Sequence, residues 1–175
     1  YYKFNKLRYS FSTIAMTKVY ITGVGFITSI GNEYNVVKES LQSMKTGIDL
    51  HPELQRKDSP VKVAGTLKGF DTSEIDPEDW IYPDTYKIRR EVLRSFSPHV
   101  LFAWCAMQQA IHASGLQAQH ISNMDTGIYT ASGGSMSTIY QHLHRMTQKG
   151  VMACNPLGII ASISGTLSFN LVSAH

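Results

Sequence analysis

The chain has 175 residues, 43% of them hydrophobic and 17% charged, which is typical of a globular domain with a sizeable core. Its formal net charge of +3 comes from the first 15 residues, which hold three basic side chains and no acidic one, while the rest carries 13 of each sign. This balance gives no reason to expect binding to nucleic acid or to a membrane surface, and the longest apolar stretches are too interrupted for a transmembrane helix.

The cysteines and histidines are the candidate metal ligands. Cys105 and Cys154 are too few for a disulfide framework and lack the spacing of a metal site. The seven histidines form no HExxH-type ligand set. We therefore predict a protein without a metal or a cofactor, kept in a reducing compartment.

Residues 1–15 (YYKFNKLRYSFSTIA) precede Met16 and carry basic side chains without acidic ones. We interpret this segment as upstream translation or as the end of a targeting peptide, and we expect it to be disordered. The folded domain is then expected over residues 16–175. We expect a cytoplasmic protein, or an organellar one if residues 1–15 end a targeting peptide.

The first predicted element is a strand over residues 18–24, buried on both faces or nearly so. Asn32 is expected to cap a helix that begins at Glu33, continues to about Lys45 and is ended by Gly47. The apolar positions of this helix fall on one stripe, so one face is expected to pack against the core.

The segment after this helix is mostly irregular. A polar stretch with two prolines over 49–60 predicts a loop, and the weak alternation over 61–65 predicts a short strand. Residues 69–84 are acidic and rich in turn-forming residues, and a helix is expected over about 85–96.

The next predicted helix begins at Ser97 and has Pro98 at its first helical position, where the missing N–H costs nothing. Gly115 ends it. The helix is apolar most of the way round, so we expect it to be buried.

The last third of the chain predicts a strand over 126–132, a helix over 135–148 and a final helix opened by Asn155 and Pro156 that continues to about Phe169. Strands that alternate with helices indicate a layered α/β protein.

Two glycines, Gly23 and Gly25, follow the first predicted strand, as in a dinucleotide-binding loop. That loop requires a third glycine where this chain has Thr28, and the next glycine comes only at Gly31. A phosphate loop of the form GxxxxGK[ST] is also missing from the sequence. We therefore interpret Gly23 and Gly25 as a tight turn with close backbone packing.

Four segments in chain order resemble those of one family, and together they are more specific than any one alone. They are VYITGVGFITSIGN, LQSMKTGI, FAWCAMQQAIHASGL and TGIYTASGGSMST. They are similar to the first strand and T-G-x-G turn, the (K/R)-(S/T)-G-I helix end, the buried helix and the glycine turn of β-ketoacyl-acyl-carrier-protein synthases, closest to the type I/II decarboxylating class. The similarity runs from about Lys18 to His175.

This resemblance implies a thiolase-like, layered αβαβα fold of two duplicated halves, of which this chain is most of the first. It implies an acyltransferase of fatty acid biosynthesis that works as a homodimer. An acyl group is loaded on a cysteine, malonyl-acyl-carrier protein is decarboxylated, and the resulting carbanion attacks the acyl thioester. The partners are acyl carrier protein and its malonyl and acyl thioesters.

The resemblance places no catalytic residue in this segment. Cys154 does not fit the nucleophile position, because it precedes the helix-start signal Asn155-Pro156 and lies only 20 residues after Gly134. The family's nucleophile is expected about one strand-length beyond His175, and its two catalytic histidines in the second half. Cys105 is interpreted as a small core residue. We therefore expect this segment alone to be inactive.

The resemblance assigns two binding sites. Gly133, Gly134 and Ser135 correspond to the turn that lines the acyl pocket, with Gly134 favouring the type I enzymes. Arg90 and Arg94 correspond to basic positions that meet the acidic carrier protein. A glycine required by backbone conformation and a solvated helix face remain the alternatives for these two sites.

Other functions of the same fold stay open. A chain-length-factor-like partner without catalytic activity is one, and a polyketide-type ketosynthase is another. A non-decarboxylating thiolase is less consistent with the glycine turn and the arginine pair. The residue at the nucleophile position would distinguish an enzyme from a non-catalytic partner.

Overall fold

The computed structural model of the chain describes residues 18–173, so the interpretation of residues 1–15 as a leader lies outside the described residues. Helices dominate the described part, accompanied by one small sheet. The helices are α1 (Tyr34–Gln42), α2 (Arg90–Leu93), α3 (Pro98–Ser114), α4 (Ala118–Ile121), α5 (Met136–Lys149), α6 (Gly158–Ser162) and α7 (Gly165–Ser173). The strands are β1 (Ile48–Leu50) and β2 (Val63–Gly65), and turns of 3₁₀ helix occupy Pro52–Leu54, Pro77–Asp79 and Val151–Ala153.

Helix α3 lies at the centre of the core and confirms the prediction for its segment. Ser97 is the N-cap residue, Pro98 occupies the first turn, and Gly115 ends the helix with a left-handed φ of 67°. Its buried side chains form one cluster with residues of neighbouring segments and of α7. The members of this cluster are Trp80, Leu93, Phe96, Val100, Leu101, Cys105, Leu167 and Leu171.

Cys105 is a core residue, as the sequence predicts. Its side chain is fully buried on α3, and this burial raises the pKa of the thiol to about 12. The neutral thiol therefore behaves as a small hydrophobic group.

Gly23 and Gly25 pack directly on α3, as their interpretation requires. A Cβ on Gly23 would lie 2.1 Å from the carbonyl oxygen of Ala110, and one on Gly25 would lie 1.8 Å from that of Ala106. The following residue is fixed to the same helix, because the Phe26 N–H donates to Oε1 of Gln109 at 2.9 Å. Close approach of two backbones thus explains the glycines.

The small sheet corrects one boundary of the sequence analysis. Strands β1 and β2 pair antiparallel, with Ile48 opposite Gly65 and Leu50 opposite Val63. The strand predicted over 61–65 is confirmed at β2. The loop predicted over 49–60 is wrong at its start, because its first residues pair with β2, a contact that the local polarity does not reveal.

The strands predicted over 18–24 and 126–132 are absent from the described structure. Within residues 18–173 neither segment has a ladder partner, and a strand requires backbone hydrogen bonds to a neighbour. The burial expected for the first segment is also wrong, since Val19, Tyr20 and Ile21 are exposed. In the second segment Tyr129 is 98% exposed, while Ile128 packs against the core.

Helix α1 is shorter than predicted and is capped differently. It begins at Tyr34 after Glu33, and the Asn32 side chain donates to the Lys68 carbonyl at 2.6 Å instead of capping the helix. It ends before Met44, which has a left-handed φ of 51°. The helix predicted over 85–96 is likewise reduced to the four residues of α2.

The final predicted helix is divided into α6 and α7, and α6 begins at Gly158, after Leu157. Asn155 opens a turn before α6, with its Oδ1 accepting from the Leu157 N–H at 2.9 Å. The division occurs where the Ser162 carbonyl accepts from the Ser135 N–H at 2.7 Å. The next residue, Ile163, has an extended backbone with φ −79° and ψ 150°, which interrupts the helix.

Helix α5 confirms the prediction for 135–148. Ser135 is its N-cap residue, and its side chain accepts from the Thr138 N–H. Among the helices of residues 18–173, none is long and apolar enough to cross a bilayer.

Candidate functional site: an arginine cleft around an acidic turn

The acidic turn over residues 76–79 is the scaffold of the candidate site. Pro77 is buried, and the Trp80 indole Nε1 donates to the Glu74 carbonyl at 2.7 Å. Trp80 also belongs to the core cluster around α3. The position of the turn is therefore fixed by the core, although its carboxylates face the surface.

Arg90 and Arg94 both bind the carboxylate of Glu78. The Arg90 Nε donates to Oε2 of Glu78 at 2.5 Å, its Nη2 donates to the same oxygen, and the Arg94 Nε donates to Oε1. The Glu78 side chain is 20% exposed, whereas those of Arg90 and Arg94 are 69% and 58% exposed. The hydrogen bonds from Arg90 and then from Arg94 lower the pKa of Glu78 to about 2.

A third arginine reaches the same turn from α5. Nη1 of Arg145 contacts both carboxylate oxygens of Asp76, at 3.0 and 2.9 Å. Its side chain is mostly buried, so this pair is less screened by water than the Glu78 pairs. The acidic turn is thus bound by Arg90 of α2 and by Arg94, the C-cap residue of α2. Arg145 of α5 binds it as well.

The three arginines line one cleft of about 620 Å³, which we call the arginine cleft. Residues 152–156 also line it, and the Asn155 side chain donates to the Arg94 carbonyl at 3.2 Å. Asp76, Glu78 and Asp79 also line it, so its formal charges cancel. Within the cleft each arginine is therefore paired with a carboxylate of the acidic turn.

Cys154 borders the arginine cleft and an adjoining apolar cleft of about 380 Å³. It is partly exposed and in an extended conformation, four residues before α6 begins at Gly158. Its Sγ lies 3.7 Å from the His142 carbonyl oxygen, not from the imidazole. This geometry has neither a helix N-terminus nor a base directed at the sulfur, which agrees with the sequence argument against a nucleophile.

His142 is buried on α5 and packs against the start of α6. Its imidazole occupies the space where a Cβ on Gly158 would lie, 2.3 Å away. Burial and then the charge of Arg145 lower the pKa of His142. The ring therefore serves as a neutral packing group between these two helices.

The glycine turn, Gly133, Gly134 and Ser135, lies apart from the residues of the arginine cleft. Gly134 has a φ of 78°, and a Cβ there would lie 2.5 Å from the Ser162 carbonyl oxygen. Gly133 has open space around the position of a Cβ. Backbone conformation and close approach thus account for glycine at Gly134 but not at Gly133.

Three residues of the site were missed by the sequence analysis: Asp76, Glu78 and Arg145. A signal was available for Glu78, because the acidic segment 76–79 precedes the two arginines by about a dozen residues. Arg145 gave no comparable signal, since its partner is distant in sequence. Within residues 18–173, no three histidine, cysteine or acidic side chains are grouped as a metal site.

Comparison with known proteins settles the family. The family model described as the N-terminal domain of β-ketoacyl synthase matches residues 16–173. The chain belongs to the β-ketoacyl synthase family. This ketoacyl synthase domain therefore has the thiolase-like α/β fold that its motifs predict, as a partial domain.

Relatives and solved structures agree with this assignment. A 3-oxoacyl-[acyl-carrier-protein] synthase 1 of Haemophilus influenzae is 29% identical over 162 residues, which cover 91% of this chain and 37% of that protein. A crystal structure of a β-ketoacyl synthase from Burkholderia phymatum superposes with a TM-score of 0.64 at 24% identity, covering 88% of this chain and 35% of that one. The ishigamide ketosynthase/chain length factor superposes with a TM-score of 0.60 at 19% identity, covering 88% and 36%. The chain thus spans little more than a third of each of these three proteins.

Proposed function

We propose that the whole protein is a 3-oxoacyl-acyl-carrier-protein synthase of fatty acid biosynthesis. The observation that carries this proposal is the family match over residues 16–173, supported by the synthase from Haemophilus influenzae. In the proposed reaction malonyl-acyl-carrier protein loses CO₂ to give a carbanion. The carbanion forms a carbon–carbon bond to the acyl carbonyl and releases the enzyme thiolate that carried the acyl group.

The residues that perform this chemistry are proposed to lie outside the segment. Neither cysteine suits the nucleophile: Cys105 is buried, with its pKa raised, and among residues 18–173 no base is directed at Cys154. We place the nucleophile about one strand-length beyond residue 175 and the histidine pair further on. The segment's own contribution is then to bind the carrier protein and the acyl chain.

Arg90 and Arg94 are proposed to meet the acidic acyl carrier protein. Both arginine side chains are more than half exposed, and arginine pairs well with carboxylate and phosphate oxygens. Substitution of Arg94 by alanine in the full-length protein should weaken binding of carrier protein, measured by calorimetry. Arg56, whose exposed ion pair with Asp58 lies outside the arginine cleft, provides the matched control. Equal losses in the two variants would contradict docking at Arg94.

Gly133, Gly134 and Ser135 are proposed to border the acyl pocket. Gly133 is the informative position, because a side chain there meets open space and its φ is not positive. Gly133→Val should shift the products towards shorter acyl chains, as measured by mass spectrometry, without a loss of stability. An unchanged chain-length profile would leave the glycine turn with a structural role alone.

The remaining proposals concern organisation. We propose a domain that begins at Met16, with residues 1–15 as a leader or upstream translation. We also propose a homodimeric full-length enzyme in the cytoplasm or an organelle. A chain-length-factor-like partner and a polyketide-type ketosynthase remain alternatives to the fatty acid enzyme. A residue other than cysteine at the nucleophile position would favour the non-catalytic partner.

A further inference from the structure

The arginines proposed for partner binding are already occupied within the protein. Glu78 accepts hydrogen bonds from Arg90 on Oε2 and from Arg94 on Oε1, so both oxygens of one carboxylate are used. The Glu78 side chain is less exposed than either arginine side chain. The Nε–H groups of both arginines therefore already donate to Glu78, and an anion from outside would have to replace Glu78 to bind them.

We propose that Glu78 is an internal competitor that keeps external anions off Arg90 and Arg94 and thereby sets how tightly an acidic partner binds this face. The part that concerns the carrier protein rests on the proposed function. The shielding itself rests on the hydrogen bonds of Glu78 and on the anchoring of its turn.

The anchoring makes the competitor effective. Pro77 and Trp80 hold the turn against the core, and the Arg145–Asp76 pair holds it from α5. A carboxylate fixed in this way loses little conformational entropy when it pairs with an arginine. A freely moving surface glutamate would compete much less well with a partner's carboxylate or phosphate.

The local charges act in the same direction. Arg90 and Arg94 carry two positive charges, and the exposed Arg89 adjoins Arg90. Three negative charges oppose them, because Glu78 pairs with both arginines, Asp79 adjoins Glu78 and Glu91 adjoins Arg90. The face therefore presents an incoming acidic surface with little net attraction until Glu78 is displaced. Replacing Glu78 with a neutral residue of the same size should strengthen that attraction.

The test compares Glu78→Gln with the wild type in the full-length protein. Phenylglyoxal, which modifies arginine side chains that are not shielded, is applied for a series of times, and the modified residues are quantified by peptide mass spectrometry. Removal of the two exposed ion pairs should raise the modification rates of Arg90 and Arg94 about fivefold. Arg145, paired with Asp76, should react at the same rate in both proteins.

Two further variants serve as a control and as a substitute for Glu78→Gln. Glu74→Gln removes an exposed carboxylate from the same segment, and Glu74 forms no ion pair among residues 18–173. It should leave all three rates unchanged. Glu78→Asp keeps the charge but withdraws the carboxylate by one methylene group, so an intermediate rate is expected even if Glu78→Gln proves too unstable to assay.

Addition of acyl carrier protein separates this inference from the proposed docking. If the carrier docks on the arginines, it slows their modification, and half-protection should need about fivefold less carrier in Glu78→Gln. Protection at the same carrier concentration in both proteins would overturn the competition, as would equal modification rates without carrier. If carrier protects neither protein, the docking proposal fails, and the modification rates alone decide whether Glu78 shields the arginines.

Discussion

The backbone N–H of Ser135 donates to the carbonyl oxygen of Ser162 at 2.7 Å, and this bond joins the glycine turn to the point where α6 ends. The bond requires close approach of the two backbones, which Gly134 permits because it lacks a Cβ. The turn that the family resemblance assigns to the acyl pocket thus packs against the end of α6, next to the division between the last two helices.

Gly134→Ala should therefore destabilise the protein, by roughly 2 kcal/mol, because alanine is strained at a φ of 78° and its Cβ would contact the Ser162 carbonyl oxygen. Urea unfolding of the full-length protein measures the change. Gly133→Ala is the matched control, and its free energy of unfolding should stay near that of the wild type. Equal effects of the two substitutions would show that the Ser135–Ser162 contact does not require glycine.

The Glu78 ion pairs should appear in the pH dependence of stability. The pKa of Glu78 is lowered from 4.5 to about 2, so the native state holds this carboxylate ionised more strongly than the unfolded chain does. Its stabilising contribution is present above about pH 4.5 and is lost as the pH falls from there towards 2. Glu78→Gln should lose less stability than the wild type between pH 5 and pH 3, as measured by urea unfolding at each pH.

Glu74→Gln is the control for this pH experiment. Glu74 has no arginine partner in the described structure. The free energy of unfolding of Glu74→Gln should therefore fall between pH 5 and pH 3 as much as that of the wild type does. An equal loss of unfolding free energy between pH 5 and pH 3 in Glu78→Gln and the wild type would contradict a native-state ion pair at Glu78.

The two cysteines should differ in reactivity. Cys105 is fully buried and burial raises its pKa to about 12, whereas Cys154 is partly exposed at the border of two clefts. Iodoacetamide at pH 8 should alkylate Cys154 many times faster than Cys105 in the native protein. Peptide mass spectrometry distinguishes them, and comparable labelling of both would mean that the core around α3 opens readily.

Cys154→Ser should retain condensing activity in the full-length protein, because the nucleophile is placed elsewhere. The assay is formation of 3-oxoacyl-acyl-carrier protein under saturating substrates. If the variant still unfolds cooperatively but has lost activity, Cys154 takes part in catalysis and the placement of the nucleophile is wrong.

Residues 16–175 expressed alone should behave as an incomplete domain. Apolar residues of the segments that were predicted as strands are exposed, among them Val19, Ile21 and Tyr129. Surfaces of this kind bind hydrophobic dyes and promote association. Size-exclusion chromatography and a thermal melt test this, and a monomer that melts cooperatively would contradict it.

The parts of the fold that the sequence predicts well are those with local causes. Helix α3 is marked by Ser97-Pro98 at one end and Gly115 at the other, and these signals act within one turn of the helix. The sequence also predicts close backbone packing at Gly23 and Gly25, but it does not predict that the packing partner is α3. The family motifs added what local patterns could not, namely the fold of the whole domain.

The parts that it predicts poorly depend on distant contacts. Segments 18–24 and 126–132 have strand-like sequences, but a strand exists only with a neighbour, which residues 18–173 do not supply. The division between α6 and α7 lies next to a contact between Ser135 and Ser162, which are 27 residues apart. The pairing of Glu78 with Arg90 and Arg94 likewise joins residues 12 and 16 positions apart.

The most direct test of the account is the reaction of the full-length protein with acyl-acyl-carrier protein, followed by malonyl-acyl-carrier protein. Mass spectrometry of the protein after the first step should locate the acyl group on a cysteine about one strand-length beyond residue 175, and the second step should release CO₂ and 3-oxoacyl-acyl-carrier protein. A protein that takes up no acyl group and forms no condensation product would contradict the proposed synthase. It would favour the non-catalytic partner of the same fold.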